Sequence, residues 1–144
     1  MYKDFTYHVF GPNSAFYPEE TELRNRVFYA WFRLWSEVYN ESESGYELHS
    51  EEFSRQQIVT AVMHKNEIAG IHLYSFFSLN SVPDLKTKYF HFFSENYLAN
   101  LRRHQVKTVM SMEFLTVMPE FRKSKVGVSL GSVLIQLGTQ VFRK

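Results

Sequence analysis

Arg122, Lys123, Ser124, Lys125 and Gly127 crowd into one short polar loop between a strand-like run, TVMSMEFLTV, and a leucine-rich stretch. Where such a stretch begins a helix, its first N–H groups lack intrahelical partners and carry partial positive charge, which suits a phosphate or pyrophosphate. The arginine and the two lysines add full charges, and Ser124 adds a hydroxyl donor. Gly127 has no side chain to hold a ligand off the backbone. The competing reading is a surface turn that merely happens to be basic, because Lys and Arg are common at exposed positions.

Other chemistries find less support. Gly127-Val128-Ser129-Leu130-Gly131 fits the spacing of a nucleophile elbow, but a polar loop separates Val117 from Ser129, and no Asp, Glu or His follows. The six histidines, at 8, 49, 64, 72, 91 and 104, show no metal-ligand spacing, so no metal is expected. His64 and His72 are placed to face each other across a hairpin. There is no cysteine, which excludes disulfides and thiolate chemistry. A net charge of +1 argues against nucleic acid and against an anionic membrane surface as partners, so any anion site must be local.

The elements that must position the loop can be read from periodicity. Phe5, Tyr7 and Val9 alternate with polar residues as in a strand, closed by Gly11-Pro12-Asn13. After Pro18, an acidic first turn precedes Leu23, Val27, Trp31, Leu34 and Val38 at helical spacing, with Phe28 and Trp35 widening the apolar face. Residues 40 to 53 read as a polar loop with at most a short helical piece. Ile58 to His64 and Ile68 to Phe77 form a hairpin about Lys65-Asn66-Glu67. Pro83 to Gln105 reads as two helical pieces, with Ser94 capping the second. A strand from Val106 to Val117 and a helix from Gly127 to Phe142 complete the order β-α-β-β-α-β-α.

At 144 residues, 44% hydrophobic and 17% aromatic, one domain spanning 1–144 with a dense core or a large apolar pocket is expected. Phe76, Phe77, Tyr89, Phe90, Phe92, Phe93 and Tyr97 cluster after the hairpin. They fit ordinary core or the wall of an acyl-chain pocket. Neither a secretory signal nor a run long enough to span a bilayer stands out, which makes a cytoplasmic protein the expectation.

Leu115-Thr116-Val117-Met118-Pro119-Glu120-Phe121-Arg122, followed by Gly127 and the leucine-rich helix, resembles the acyl-CoA-binding motif of the GNAT N-acyltransferase superfamily. The segment Asn66-Glu67-Ile68-Ala69-Gly70-Ile71 resembles that family's second and third strands. The family's phosphate loop reads Arg or Gln, two residues, Gly, one residue, then Gly or Ala. Gly127 matches its last position and Lys125 replaces its first glycine, where a lysine can pair with phosphate directly.

The resemblance implies a GNAT-like α/β (α+β) fold with a mixed sheet, and acetyl-CoA or a longer acyl-CoA as donor. The donor would be held by Leu115, Thr116, Val117, Arg122, Lys123, Ser124, Lys125, Val126, Gly127 and Val128. The edge of the strand at Leu115–Val117 would bond the pantetheine arm, and the acceptor would be a small amine or an amino acid. Glu113, two residues before Leu115 and on the same strand face by alternation, would be the general base. A solvated carboxylate or a structural ion pair is equally open for Glu113.

The helical stretch between the third and fourth strands is somewhat similar to the N-acyl amino acid synthase and acyl-homoserine lactone synthase branch. There the donor can be an acyl carrier protein. Arg24, Phe28 and Trp31 resemble that branch's first helix. The family's fold normally continues with a fifth strand, a helix and further strands. The expectation is therefore a partial version of the fold, or a homodimer or partner chain covering an exposed sheet edge. Two functions remain open: an acyltransferase, or a non-catalytic acyl-CoA-binding or interaction module.

Overall fold

A computed structural model describes residues 3–123, 127 and 129–143. The chain is an α+β protein, about half helical, with a four-stranded sheet in the order β1-β2-β3-β4. The strands are β1 (Phe5–Phe10), β2 (Ile58–His64), β3 (Glu67–Ser78) and β4 (Thr108–Val117). Every pairing is antiparallel, where a mixed sheet is expected from the resemblance. For β3 and β4 the opposed run is fixed by Met118 N–H donating to the Ala69 carbonyl and Leu79 N–H donating to that of Lys107.

The helices are α1 (Pro18–Glu41), α2 (Glu51–Ser54), α3 (Val82–Leu85), α4 (Glu95–Arg103) and α5 (Leu130–Arg143), so the sequence-predicted order holds. Contacts divide the chain into two compact units, Met1–Tyr74 with Met112–Lys144, and Ser75–Ser111.

In the first unit, α1 begins with Pro18 in its first turn beside Glu19 and Glu20, as the fixed proline φ and the helix dipole favour. Its apolar stripe buries Val27 and Trp31 completely. Trp31 packs with Val59, Ala61, Ile71 and Leu73, whereas the next residue along β2, Val62, packs with Leu130 and Leu134 of α5. Period-two alternation thus feeds two separate helical layers. The β2–β3 register sets Thr60 opposite His72 and His64 opposite Glu67, so the two histidines do not face each other. The turn at Lys65-Asn66 closes His64 directly onto Glu67, which leaves His72 five residues further along β3.

The second unit has a small core of Phe77, Leu79 and Phe90, with Tyr89, Phe93, Leu98 and Leu101 packed against it. The Phe77 and Tyr89 rings stack at 5.1 Å and 9°, and Phe90 meets Phe93 edge-on at 5.1 Å. These rings are one another's packing partners, as ordinary core requires, while Phe92 is 94% exposed. The Ser94 hydroxyl accepts from Tyr97 N–H and caps α4 as expected from sequence.

A polar group lies inside the first unit. His72 is 1% exposed, and its Nδ1 lies in hydrogen-bond contact, at 2.7 Å, with the equally buried hydroxyl of Tyr74. Burial lowers the His72 pKa from 6.5 to about 4, against a smaller opposing effect of a backbone bond at Leu134. Since the native state then resists a proton that the unfolded chain accepts, stability is unaffected by this group above pH 6.5. It falls as pH drops from there toward 4. The expected loss is about 2 kcal/mol by pH 5. Urea unfolding at pH 7 and pH 5 should show it, and His72→Gln should flatten the difference. An equal acid loss in that variant would contradict the assignment.

Candidate functional site

The functional candidates lie on β4, on the loop after it and at the start of α5. β4 is a terminal strand of the sheet, as an exposed edge requires, and Leu115 on it is 37% exposed. Thr116 is buried. Its Oγ1 accepts from Trp35 Nε1 at 2.9 Å and donates to the Phe114 carbonyl at 2.7 Å. Val117 is half-buried among Leu130, Leu134 and Phe121. The three residues expected to line the donor's arm therefore differ: Leu115 is open, and the other two are anchored by the fold.

Phe114 has φ +53°, a left-handed value that a bulky side chain rarely takes. Its ring is held edge-on by Trp31 and Trp35, each at 5.2 Å, which stabilises the conformation. This irregularity breaks the period-two alternation of β4. Met112 approaches Gly138 of α5, while Glu113 and Phe114 both turn toward groups of the α1 and α2 region. Val117, in step with Leu115, meets Gly131 of α5. The alternation that would set Glu113 on one face with Leu115 is therefore broken at Phe114, the residue between them.

Glu113 is held by a two-toothed pair with Arg55, at 2.8 Å and 3.3 Å, and its Oε2 also accepts from Gln56 Nε2 at 3.1 Å. Such planar fork-to-fork pairing is among the stronger side-chain interactions. Near it, Tyr39 has its pKa raised by burial and then by the charges of Glu52 and Glu113. A cavity of about 600 Å³ opens beside Tyr39, lined also by Phe32, Glu43, Tyr46 and Glu47. Acidic and aromatic walls suit a cationic or amine-bearing group.

After β4, a short 3-10 turn at Pro119–Phe121 buries Phe121 and leads to Arg122 and Lys123, both exposed. Ser124, Lys125, Val126 and Val128 lie outside the described residues. Gly127 has φ +71° and no atom within 4 Å of the place a Cβ would occupy, so its use is conformational. Its N–H donates to the Lys123 carbonyl at 2.9 Å, closing a turn and leaving that amide unavailable to a ligand. Ser129 Oγ accepts from Ser132 N–H at 3.3 Å and so caps α5, a structural use that accounts for the serine in the elbow-like spacing.

Of the loop residues described, Gly127 is bonded to Lys123, and Arg122 and Lys123 are exposed between the end of β4 and the start of α5. Glu113 stands four residues before Val117, about 13 Å back along extended chain. Arg55, Gln56 and the Phe114 kink were not legible as site features. Arg55 lies 58 residues from Glu113, and nothing in its local sequence marks the pairing. Among the described residues no group of His, Asp and Glu could hold a metal, and no helix is long and apolar enough to cross a membrane. Comparison with protein-family models, curated proteins and solved structures returns no match.

Proposed function

We propose that the chain binds an acyl thioester, acetyl-CoA or a longer acyl-CoA or acyl carrier protein, and transfers its acyl group to an amine, on a GNAT-like fold. The observation that carries this reading is the succession of an edge strand with an open Leu115, a loop bearing Arg122 and Lys123, a Gly127 turn, and α5. The cations and helix start favour the donor's phosphates, and the free strand edge favours its amide-bearing arm as an added strand. The cavity beside Tyr39, lined by Glu43 and Glu47, supports an amine acceptor.

In the reaction the acceptor nitrogen attacks the thioester carbonyl, its proton passes to Glu113, and the thiolate leaves. For that, the acceptor must attack as the neutral amine, and Glu113 must loosen from Arg55 to take the one proton the nitrogen loses. The pairing with Arg55 is also the specific observation that favours a second reading, a non-catalytic acyl-CoA-binding module in which Glu113 serves only to tie β4 to the end of α2.

Two variants separate these readings. Arg122→Ala with Lys123→Ala is expected to weaken acetyl-CoA binding by about 10-fold or more, measured by calorimetry. Glu113→Gln is expected to leave that binding unchanged and to lower amide product formation at least ~100-fold. Product at the wild-type rate from Glu113→Gln would remove the base assignment. No product from wild type with any amine, while donor binding persists, would favour the module.

A further inference from the structure

Arg24 lies on the part of α1 that faces the chain just before β2, half-buried, with its guanidinium carbon 5.1 Å from the centre of the Phe53 ring. A buried guanidinium normally finds a carboxylate or carbonyl, because its desolvation is otherwise uncompensated. Among the described residues none receives Arg24; the ion pair present there joins Arg55 to Glu113 instead. Burial accordingly disfavours the charged form of Arg24, without coming near to neutralising an arginine.

The guanidinium borders a cavity of about 320 Å³, which Arg55, Ser14, Ser54, Phe10 and Val59 also line. That volume is at the lower end of the range for small-molecule sites. Among the described residues no Asp or Glu lines it. Arg55 already spends its charge on Glu113 at 2.8 Å, so the uncompensated charge in the cavity is close to that of Arg24 alone.

The geometry points to a binding site for a small organic monocarboxylate, its carboxylate on the Arg24 fork and the rest of the molecule in the cavity beside it. A guanidinium presents parallel donors matched to a planar carboxylate. One uncompensated charge matches a monoanion better than a phosphate dianion. The inference does not rest on acyl transfer, since none of these residues belongs to the donor loop.

The test is a titration of the full chain with butyrate, benzoate and, separately, inorganic phosphate, followed by amide chemical shifts. Butyrate and benzoate should shift amides near residues 10–14, 24 and 53–57 saturably. Arg24→Gln should weaken that binding about 10-fold to 100-fold. Arg26→Gln, on the same helix but bonded to Asn66, should leave it unchanged, as should Arg122→Ala. Arg24→Lys keeps charge and packing but not the fork, and should bind more weakly than wild type. The proposal is overturned if carboxylates shift none of these amides, or if both Arg24 variants bind as wild type does. It is equally overturned if phosphate binds there as tightly as the carboxylates, which would make it a general oxyanion site.

Discussion

Trp31→Ala is expected to lower the unfolding free energy by about 4 kcal/mol, the largest effect of any single truncation in the first unit. Trp31 is wholly buried and its ring contacts Phe28, Phe53 and Phe114 at centroid distances of 5.9, 5.3 and 5.2 Å. Alanine leaves a large void that these rings, each packed against further neighbours, can fill only in part. The indole also braces Phe114 in its left-handed conformation, so the loss reaches the strand that carries Glu113.

Trp31→Phe should behave very differently. Trp31 Nε1 is buried with no hydrogen-bond partner among the described residues. A buried orphan donor costs about 1–3 kcal/mol, and phenylalanine removes it while retaining most of the ring. The net cost should be about 1 kcal/mol or less. Urea denaturation of the two variants checks this, and similar losses in both would show that the packing argument is wrong.

Gly138→Val should cost about 3 kcal/mol, through overpacking rather than a void. A Cβ at Gly138 would lie 2.6 Å from Tyr74 Oη and 2.9 Å from both Tyr74 Cε1 and Met112 Cε. Met112 can swing its terminal methyl aside. Tyr74 cannot, being wholly buried with its hydroxyl bound to His72 Nδ1 at 2.7 Å. Either α5 lifts from the sheet or that bond breaks. Gly138→Ala meets the same obstacle, offset by roughly 1 kcal/mol of helix propensity. Its cost should shrink in a Tyr74→Phe background, where the nearest clashing atom is gone. Additive losses in that double mutant would place the strain elsewhere.

The elements were legible where one local rule decides them. Val27 and Trp31 at helical spacing, the alternation of Phe5, Tyr7 and Val9, and Ser94 before an acidic first turn each announce a structure that forms as read. Features that depend on chain segments far apart were not. The Phe114 kink has no signature in residue type, since phenylalanine is among the residues least suited to positive φ, and only the two tryptophans of α1 explain it. That kink breaks the alternation that would set Glu113 on one face with Leu115. The pairing of Thr60 with His72 likewise depends on a register shift between Val62 and Met63 that no short window reveals.

For the candidate site, the sequence shows a local succession of cations, a glycine and a helix start, of which Arg122, Lys123 and Gly127 are among the described residues. Gly127 has positive φ and is bonded to Lys123, and Arg122 and Lys123 are exposed. What the loop's sequence did not disclose is that the Gly127 amide closes back on the Lys123 carbonyl. The Arg55–Glu113 pair and the cavity beside Arg24 belong to the same class of long-range feature as the kink.

Thermal unfolding with free CoA, acetyl-CoA and a long-chain acyl-CoA tests the donor-binding claim most directly. A ligand at about 100 times its Kd stabilises by ~2.7 kcal/mol, which for a chain of this size raises Tm by roughly 5–10 °C. A rise of that order with acyl-CoA, lost in Arg122→Ala with Lys123→Ala, is the predicted result. No shift with any of the three ligands would contradict the account.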